Sequence, residues 1–218
     1  MAKKGFIFDL DGVIVDTAGF HYLAWKSLAN ELGFEFTEEQ NEQFKGVSRV
    51  RSLDILLEIG DINATQDQKD KWLVSKNEEY LSYIEKMTDA DILPGVLKTL
   101  NYLKSKNIPM ALGSASKNAQ PILKRVGLFD MFDTIVDGNH VQKAKPDPEV
   151  FTIGADELGV SYSDAIVFED SIAGIQAANS VDMVSIGIGD PGILHEADHN
   201  FRDFTEINST FLDQLINA

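Results

Sequence analysis

The chain has 218 residues, is 44% hydrophobic and 25% charged, and carries a formal net charge of −16. That charge repels nucleic acid and anionic membrane, and no apolar run approaches the roughly 18 residues of a membrane span, so neither is expected as a partner. With no cysteine, disulfides, thiolate metal sites and cysteine nucleophiles are excluded together. A cytoplasmic protein acting on a small molecule is expected, with a monomer as the default. An anionic substrate would have to be met by concentrated cations, so the positions of the 19 Lys and Arg are informative.

Residues 4–9 (KGFIFD) predict a buried strand that ends at an Asp-rich turn. From 18 to 90 apolar and aromatic positions recur at helical spacing, in FHYLAWKSLANELG and VRSLDILLEIG, with a more polar helix over 66–86. The pattern changes at Asp91-Ile92-Leu93-Pro94-Gly95, where Pro94 suits the first turn of a helix. Beyond it, helices expected at 95–106, 117–126, 147–158 and 172–180 alternate with strands at 108–114, 134–138, 165–170 and 183–189. Such alternation predicts an α/β fold, a doubly wound, Rossmann-like parallel sheet with helices on both faces. The expected organisation is a core of residues 1–15 and 92–218 with an inserted all-helical cap, 16–91, hinged at its two joins.

Ligands of open parallel sheets bind beyond the carboxyl ends of the strands. There the chain places Asp9 and Asp11, then Ser114 and Ser116, Lys145, and finally Glu169, Asp170 and Ser171. Asp9 and Asp11 are two apart, so at strand spacing both carboxylates face one way. One can attack while the other moves protons. Mg²⁺ takes hard oxygen ligands, which Asp9 and Asp170 supply, with Glu169 as a further candidate. Lys145 and Ser114 are suited to hold the oxygens of a transferring phosphoryl group. Alone, Asp-Leu-Asp-Gly is an ordinary turn sequence and Ser116 an ordinary helix cap. Their joint occurrence, in order, at four strand ends points to one reaction.

These segments resemble the haloacid dehalogenase superfamily of phosphotransferases. Phe8-Asp9-Leu10-Asp11-Gly12-Val13-Ile14-Val15-Asp16-Thr17 matches its first motif, and Ser114, Lys145 and Glu169-Asp170-Ser171-Ile172-Ala173-Gly174-Ile175 match the other three. Further marks are similar to the hexose-phosphate mutases of that superfamily: His21 and Trp25, Lys45-Gly46-Val47-Ser48-Arg49 with Ser52, Lys76-Asn77, and Ser114-Ala115-Ser116-Lys117-Asn118. The resemblance implies Asp9 as nucleophile and metal ligand. It implies Asp11 as general acid/base that also offers a backbone carbonyl to Mg²⁺, with Glu169 and Asp170 completing the metal site. Ser114 and Lys145 would bind the transferring group. Arg49, Ser116, Lys117 and Asn118 would bind the other phosphate, with Lys45, Gly46, Ser52 and Lys76 near the substrate. Thr17 and His21 would sit by the hinge and position Asp11. Trp25 reads equally as cap core or cleft wall. One departure is Ser180-Val181, where the family has a small residue and Gly, so this helix must end in some other way.

Two motif matches are set aside. His195-Glu196-Ala197-Asp198-His199 has the spacing of a zinc protease helix but runs into a strand-like segment. Gly187-Ile188-Gly189-Asp190-Pro191-Gly192 lacks the following βαβ unit of a dinucleotide site and reads as a strand end leading to a Pro-started helix.

Three functions fit these residues. The first is a sugar-phosphate mutase working through an aspartyl-phosphate and a bisphosphate intermediate. The second is a phosphatase, in which water takes the group from Asp9. The third is a non-catalytic binding module, which would have no need of Asp11. A bisphosphate must be held at both ends, and Arg49 with Ser116-Lys117-Asn118 supplies a second phosphate site, which favours the mutase.

Overall fold

The computed structural model describes residues 4–44 and 47–218. In chain order the elements are β1 (Gly5–Phe8), α1 (Ala18–Glu31), α2 (Glu38–Asn41), α3 (Arg49–Ile59), α4 (Gln66–Ile84), α5 (Val96–Ser105), β2 (Met110–Gly113), α6 (Ala119–Arg125), β3 (Thr134–Val136), α7 (Glu149–Leu158), β4 (Ala165–Glu169), α8 (Ile172–Asn179), β5 (Val184–Ile188), β6 (His199–Phe201) and α9 (Ser209–Asn217). The strands form one six-stranded sheet, ordered β3-β2-β1-β4-β5-β6 and parallel throughout. The doubly wound α/β fold expected from the alternation is present.

β1, β2 and β4 are buried along their whole lengths, as parallel strands are when helices cover both faces. Successive side chains point to opposite faces. Phe6 and Phe8 join a cluster with Leu100, Leu112, Phe168 and Phe204, while Ile7 joins Ala111, Phe151 and Val167 on the other side. Phe8 stacks on Phe168 with ring centroids 4.8 Å apart.

The chain leaves β1 in one direction to β2 and β3 and later returns to its other side as β4, so β1 marks the switch point of the sheet. Phe8 is in register with both Leu112 and Phe168. One residue further on, Asp9, Gly113 and Glu169 therefore share a level at the carboxyl edge.

Between β1 and α5 lie α1 to α4, with no strand among the described residues of 16–91. Capping boxes pair Thr37 with Gln40 and Thr65 with Gln68, and Ser48 caps α3, so the polar residues before each apolar run set its start. Trp25, Leu28, Phe36, Phe44, Leu53 and Leu56 form a separate apolar cluster. The chain segments entering and leaving this region run side by side. Leu93 N donates to Ile14 O at 3.0 Å, and Val15 bridges Ile92.

Two details differ from the sequence reading and a third was not foreseen, while the end of α8 follows it. Pro94 lies outside α5, whose N-cap is Gly95 in a left-handed conformation (φ 83°) packed against the backbone of Phe204 and Thr205. The segment after Gly189 forms a turn, with Ile193 N and Leu194 N both donating to Asp190 O, and not a Pro-started helix. The C-terminal helix α9 carried no expectation. Without a closing glycine, α8 ends through Asp182, which takes a positive φ of 59°, and Met183 N donates back to Ala178 O. His195 is exposed in a turn and His199 lies in β6, so no helix face carries the pair. Among the described residues no helix is long and apolar enough to cross a membrane.

Candidate active site

The carboxyl edge of the sheet opens into a cavity of about 580 Å³ whose far wall is built by α1, α3 and α4. Asp9, Asp11, Ser114, Ser116, Lys117, Asn118, Lys145, Glu169 and Asp170 line its sheet side; His21, Trp25, Arg49, Ser52 and Lys76 line the other. Thr17 is fully buried behind this surface. Lys45 and Gly46, also expected at the site, lie outside the described residues.

Asp9 is tied to β4 by its own N–H, which donates to Phe168 O at 3.0 Å. The Lys145 ammonium lies 2.6 Å from Asp9 Oδ1 and also contacts Glu169 Oε1. Glu169 Oε2 accepts from Ser171 N at 2.7 Å and Ser171 Oγ at 2.8 Å. Burial, assisted by Glu169 and Asp11, pushes the Asp9 carboxyl up to about 7 against the pull of Lys145. Burial alone would lower Lys145, but Asp9 and Glu169 together hold its proton more tightly than usual. Lys145 thus remains a fixed cation beside the nucleophile candidate.

Asp11 Oδ1 accepts a hydrogen bond from Thr17 Oγ1. Burial raises the Asp11 carboxyl, opposed by Thr17, Lys145 and Lys76. A group poised in this way can both hold and release a proton. Between them, Gly12 has φ 79°, and a side chain there would collide with the Asp170 carboxylate. Glycine therefore lets Asp170 lie directly against the Asp11-Gly12 turn.

After β2 the chain folds into two nested serine turns. Ser114 Oγ accepts from Ser116 N at 3.1 Å, and Ser116 Oγ accepts from Asn118 N at 3.2 Å. On the opposite wall Lys76 is buried, with its ammonium 3.2 Å from His21 Nδ1 and over the rings of Trp25 (4.5 Å) and Tyr80 (4.8 Å). Burial and the Arg49 charge bring Lys76 down to about 7. Burial, with Lys76 and Arg49 adding to it, keeps His21 neutral well below its ordinary range, so Nδ1 accepts from Lys76. Trp25, left open between two roles, fills both: it belongs to the helical cluster and lines the cavity.

Some residues of the site went unassigned in the sequence. Asn118 Nδ2 donates to Asn77 Oδ1 of α4 at 2.9 Å. Asn41 lines the cavity, and its buried Oδ1 has no hydrogen-bond partner among the described residues. Nothing in the polar stretch 38–43 marks it out from its neighbours. Ser171, noted only as a strand-end hydroxyl, orients Glu169.

A buried carboxylate at the switch point, a fixed lysine, a second carboxylate two residues on and an adjacent helical wall define a phosphotransferase-type site. The haloacid dehalogenase-like hydrolase family model matches residues 3–182, and the chain belongs to that family. It is 39% identical over 213 residues to β-phosphoglucomutase of Bacillus subtilis, covering 97% of this chain and 94% of that one. It is 32% identical to the phosphorylated carbohydrates phosphatase of Thermotoga maritima, over 87% of this chain and 84% of that one. The crystal structure of β-phosphoglucomutase from Clostridium difficile superimposes with a TM-score of 0.94 at 40% identity, covering 99% of this chain and 97% of that one.

Proposed function

We propose that the chain is a Mg²⁺-dependent β-phosphoglucomutase. It interconverts β-glucose 1-phosphate and glucose 6-phosphate through a phosphoryl group carried on Asp9 and a glucose 1,6-bisphosphate intermediate. One observation carries this most: a single cavity has cations at both ends, Lys145 beside Asp9 and Arg49 with Lys76 on the helical wall. A bisphosphate needs both.

The cycle begins with a phosphoryl group on Asp9. The 6-hydroxyl of β-glucose 1-phosphate attacks that phosphorus, Asp11 takes the hydroxyl proton, and the bond from phosphorus to Asp9 breaks, leaving a free carboxylate and glucose 1,6-bisphosphate. In the second half the bisphosphate presents its other end: an Asp9 oxygen attacks the 1-phosphoryl phosphorus, the bond from phosphorus to the sugar oxygen breaks, and Asp11 returns its proton to that leaving oxygen, giving glucose 6-phosphate and phospho-Asp9. Thr17 holds Asp11 in line for both transfers, with His21 beside it. Lys145 and Ser114 hold the moving phosphoryl oxygens. Arg49, Lys76, Ser116, Lys117 and Asn118 hold the distal phosphate, and Trp25 and Ser52 enclose the sugar.

The donor set fits a hard dication. Asp9 and Asp170 flank the Asp11-Gly12 turn, whose Asp11 carbonyl is a third oxygen, and Gly12 leaves room for Asp170. Among the described residues no three acidic or imidazole side chains converge into a cluster, so an ion here would complete its shell with substrate phosphate and water. Glu169 already engages Lys145 and Ser171, and we place it as the outermost of the ligands. When bound, Mg²⁺ supplies charge neutralisation as the phosphoryl group moves.

In this account residues 16–91 are a cap that closes over a core of 1–15 and 92–218, excluding water from Asp9. The enzyme is placed in the cytoplasm as a monomer. The test is a product assay with β-glucose 1-phosphate, Mg²⁺ and a trace of glucose 1,6-bisphosphate. Glucose 6-phosphate without matching inorganic phosphate is expected; inorganic phosphate alone would make the chain a phosphatase.

A further inference from the structure

We infer that Glu149 is the positioning residue for Lys145: its carboxylate closes the loop from 142 to 149 on which that lysine is carried. This rests on Lys145 holding the transferring phosphoryl group. The loop runs between β3 and α7, and nothing regular shapes it. At its far end Glu149, the first residue of α7, turns back. Its Oε2 accepts from Gln142 N at 2.8 Å and from Lys143 N at 2.7 Å. Two consecutive main-chain N–H groups on one anionic oxygen form charge-assisted bonds, stronger than neutral ones. Asp147 braces the same ring, accepting from Glu149 N at 3.1 Å and pairing with Lys143 Nζ at 3.3 Å.

Lys145 lies inside this ring. Its ammonium is 2.6 Å from Asp9 and 4.7 Å from the ring centroid of Phe151, in the first turn of α7. Both α7 contacts, Glu149 to the loop and Phe151 to the ammonium, therefore set where Lys145 points. The start of the segment is pinned independently, by Gly138 N donating to Ser116 O at 3.2 Å. A glutamate at a helix N-terminus also favours the helix dipole. That role alone would alter stability and not the chemistry at Asp9.

A double-mutant cycle separates the two, read as the rate of Asp9 phosphorylation by acetyl phosphate with Mg²⁺. Glu149→Ala should slow it by about tenfold or more, and Glu149→Gln, which keeps an acceptor oxygen, by less. In a Lys145→Met background, Glu149→Ala should add less than about twofold, because the group it positions is gone. Amide hydrogen exchange at Gln142 and Lys143 should accelerate in Glu149→Ala while β4 stays protected. Equal losses in both backgrounds, no loss with Lys145 present, or unchanged exchange would each overturn the inference. If the wild-type chain never carries phosphate on Asp9, the proposed function fails, and the exchange result still decides the clamp.

Discussion

Asn118 Nδ2 donates to Asn77 Oδ1 at 2.9 Å, so a side-chain hydrogen bond joins the loop after β2 to α4. The other residues of that loop bond among themselves or to the β3 segment, which makes this contact a latch between the two walls. Asn77→Ala should loosen closure. Small-angle scattering should show the wild-type radius of gyration contracting with substrate and a phosphate mimic, and the variant contracting less at equal saturation. Equal radii in all states would remove the moving cap.

Lys76 gives a pH dependence. Folding lowers its pKa from 10.5 to about 7, so the native state gives up its proton before the unfolded state does. The unfolded chain binds more protons between those values, and stability rises with pH through that window. Lys76→Met removes the cost of the buried charge. Its melting temperature should exceed that of wild type at pH 6, and the margin should shrink at pH 9. For substrate the sign reverses: an anion needs the protonated lysine, so wild-type KM should climb above pH 7 by up to about tenfold per unit. The KM of Lys76→Met should start higher and stay flat.

In the proposed mechanism Thr17 acts through Asp11, to which its hydroxyl donates. Asp11→Asn removes the proton carrier and should cost about 10²–10⁴-fold in kcat. Thr17→Val removes one hydrogen bond to the carboxylate, worth about 1.5–3 kcal/mol, and should lower kcat by roughly 10- to 150-fold with little change in KM. Thr17→Ser, which keeps the hydroxyl, should restore most of the rate. Loss of KM and kcat together would make Thr17 a packing residue.

Arg49 separates mutase from phosphatase. Truncating a buried charge partner costs about 2–5 kcal/mol, so kcat/KM of the mutase reaction should fall by roughly 30-fold to several thousand-fold in Arg49→Ala. Arg49→Lys should recover part, because a point charge lacks the forked contact. Hydrolysis of acetyl phosphate, which has no distal phosphate, should change by less than about threefold. A parallel fall in both activities would assign Arg49 to the cap's structure.

Residues at strand ends were legible because each follows an apolar run that marks its strand: Asp9 after GFIF, Ser114 after MALG, Glu169 at the end of AIVF. Partners made by folding were not. Asn77 and Asn118 are polar residues on different elements, and nothing local pairs them. Glu149 reads as an ordinary helix-start acid until its reach back to Gln142 is seen. Pro191 signals a turn or a helix start alike, and the hydrogen bonds to Asp190 O decide for the turn. The missing glycine after α8 was a true signal, since Asp182 takes the left-handed position in its place.

If Asp9 carries the phosphoryl group, the phosphorylated enzyme can be trapped during turnover. Enzyme turning over β-glucose 1-phosphate with Mg²⁺ and ³²P-labelled glucose 1,6-bisphosphate is quenched in acid, digested and mapped by mass spectrometry. An alkali-labile phosphate on the peptide containing Asp9, absent in Asp9→Asn along with all turnover, is the expected result. Label on another residue, or robust turnover by Asp9→Asn, would contradict it.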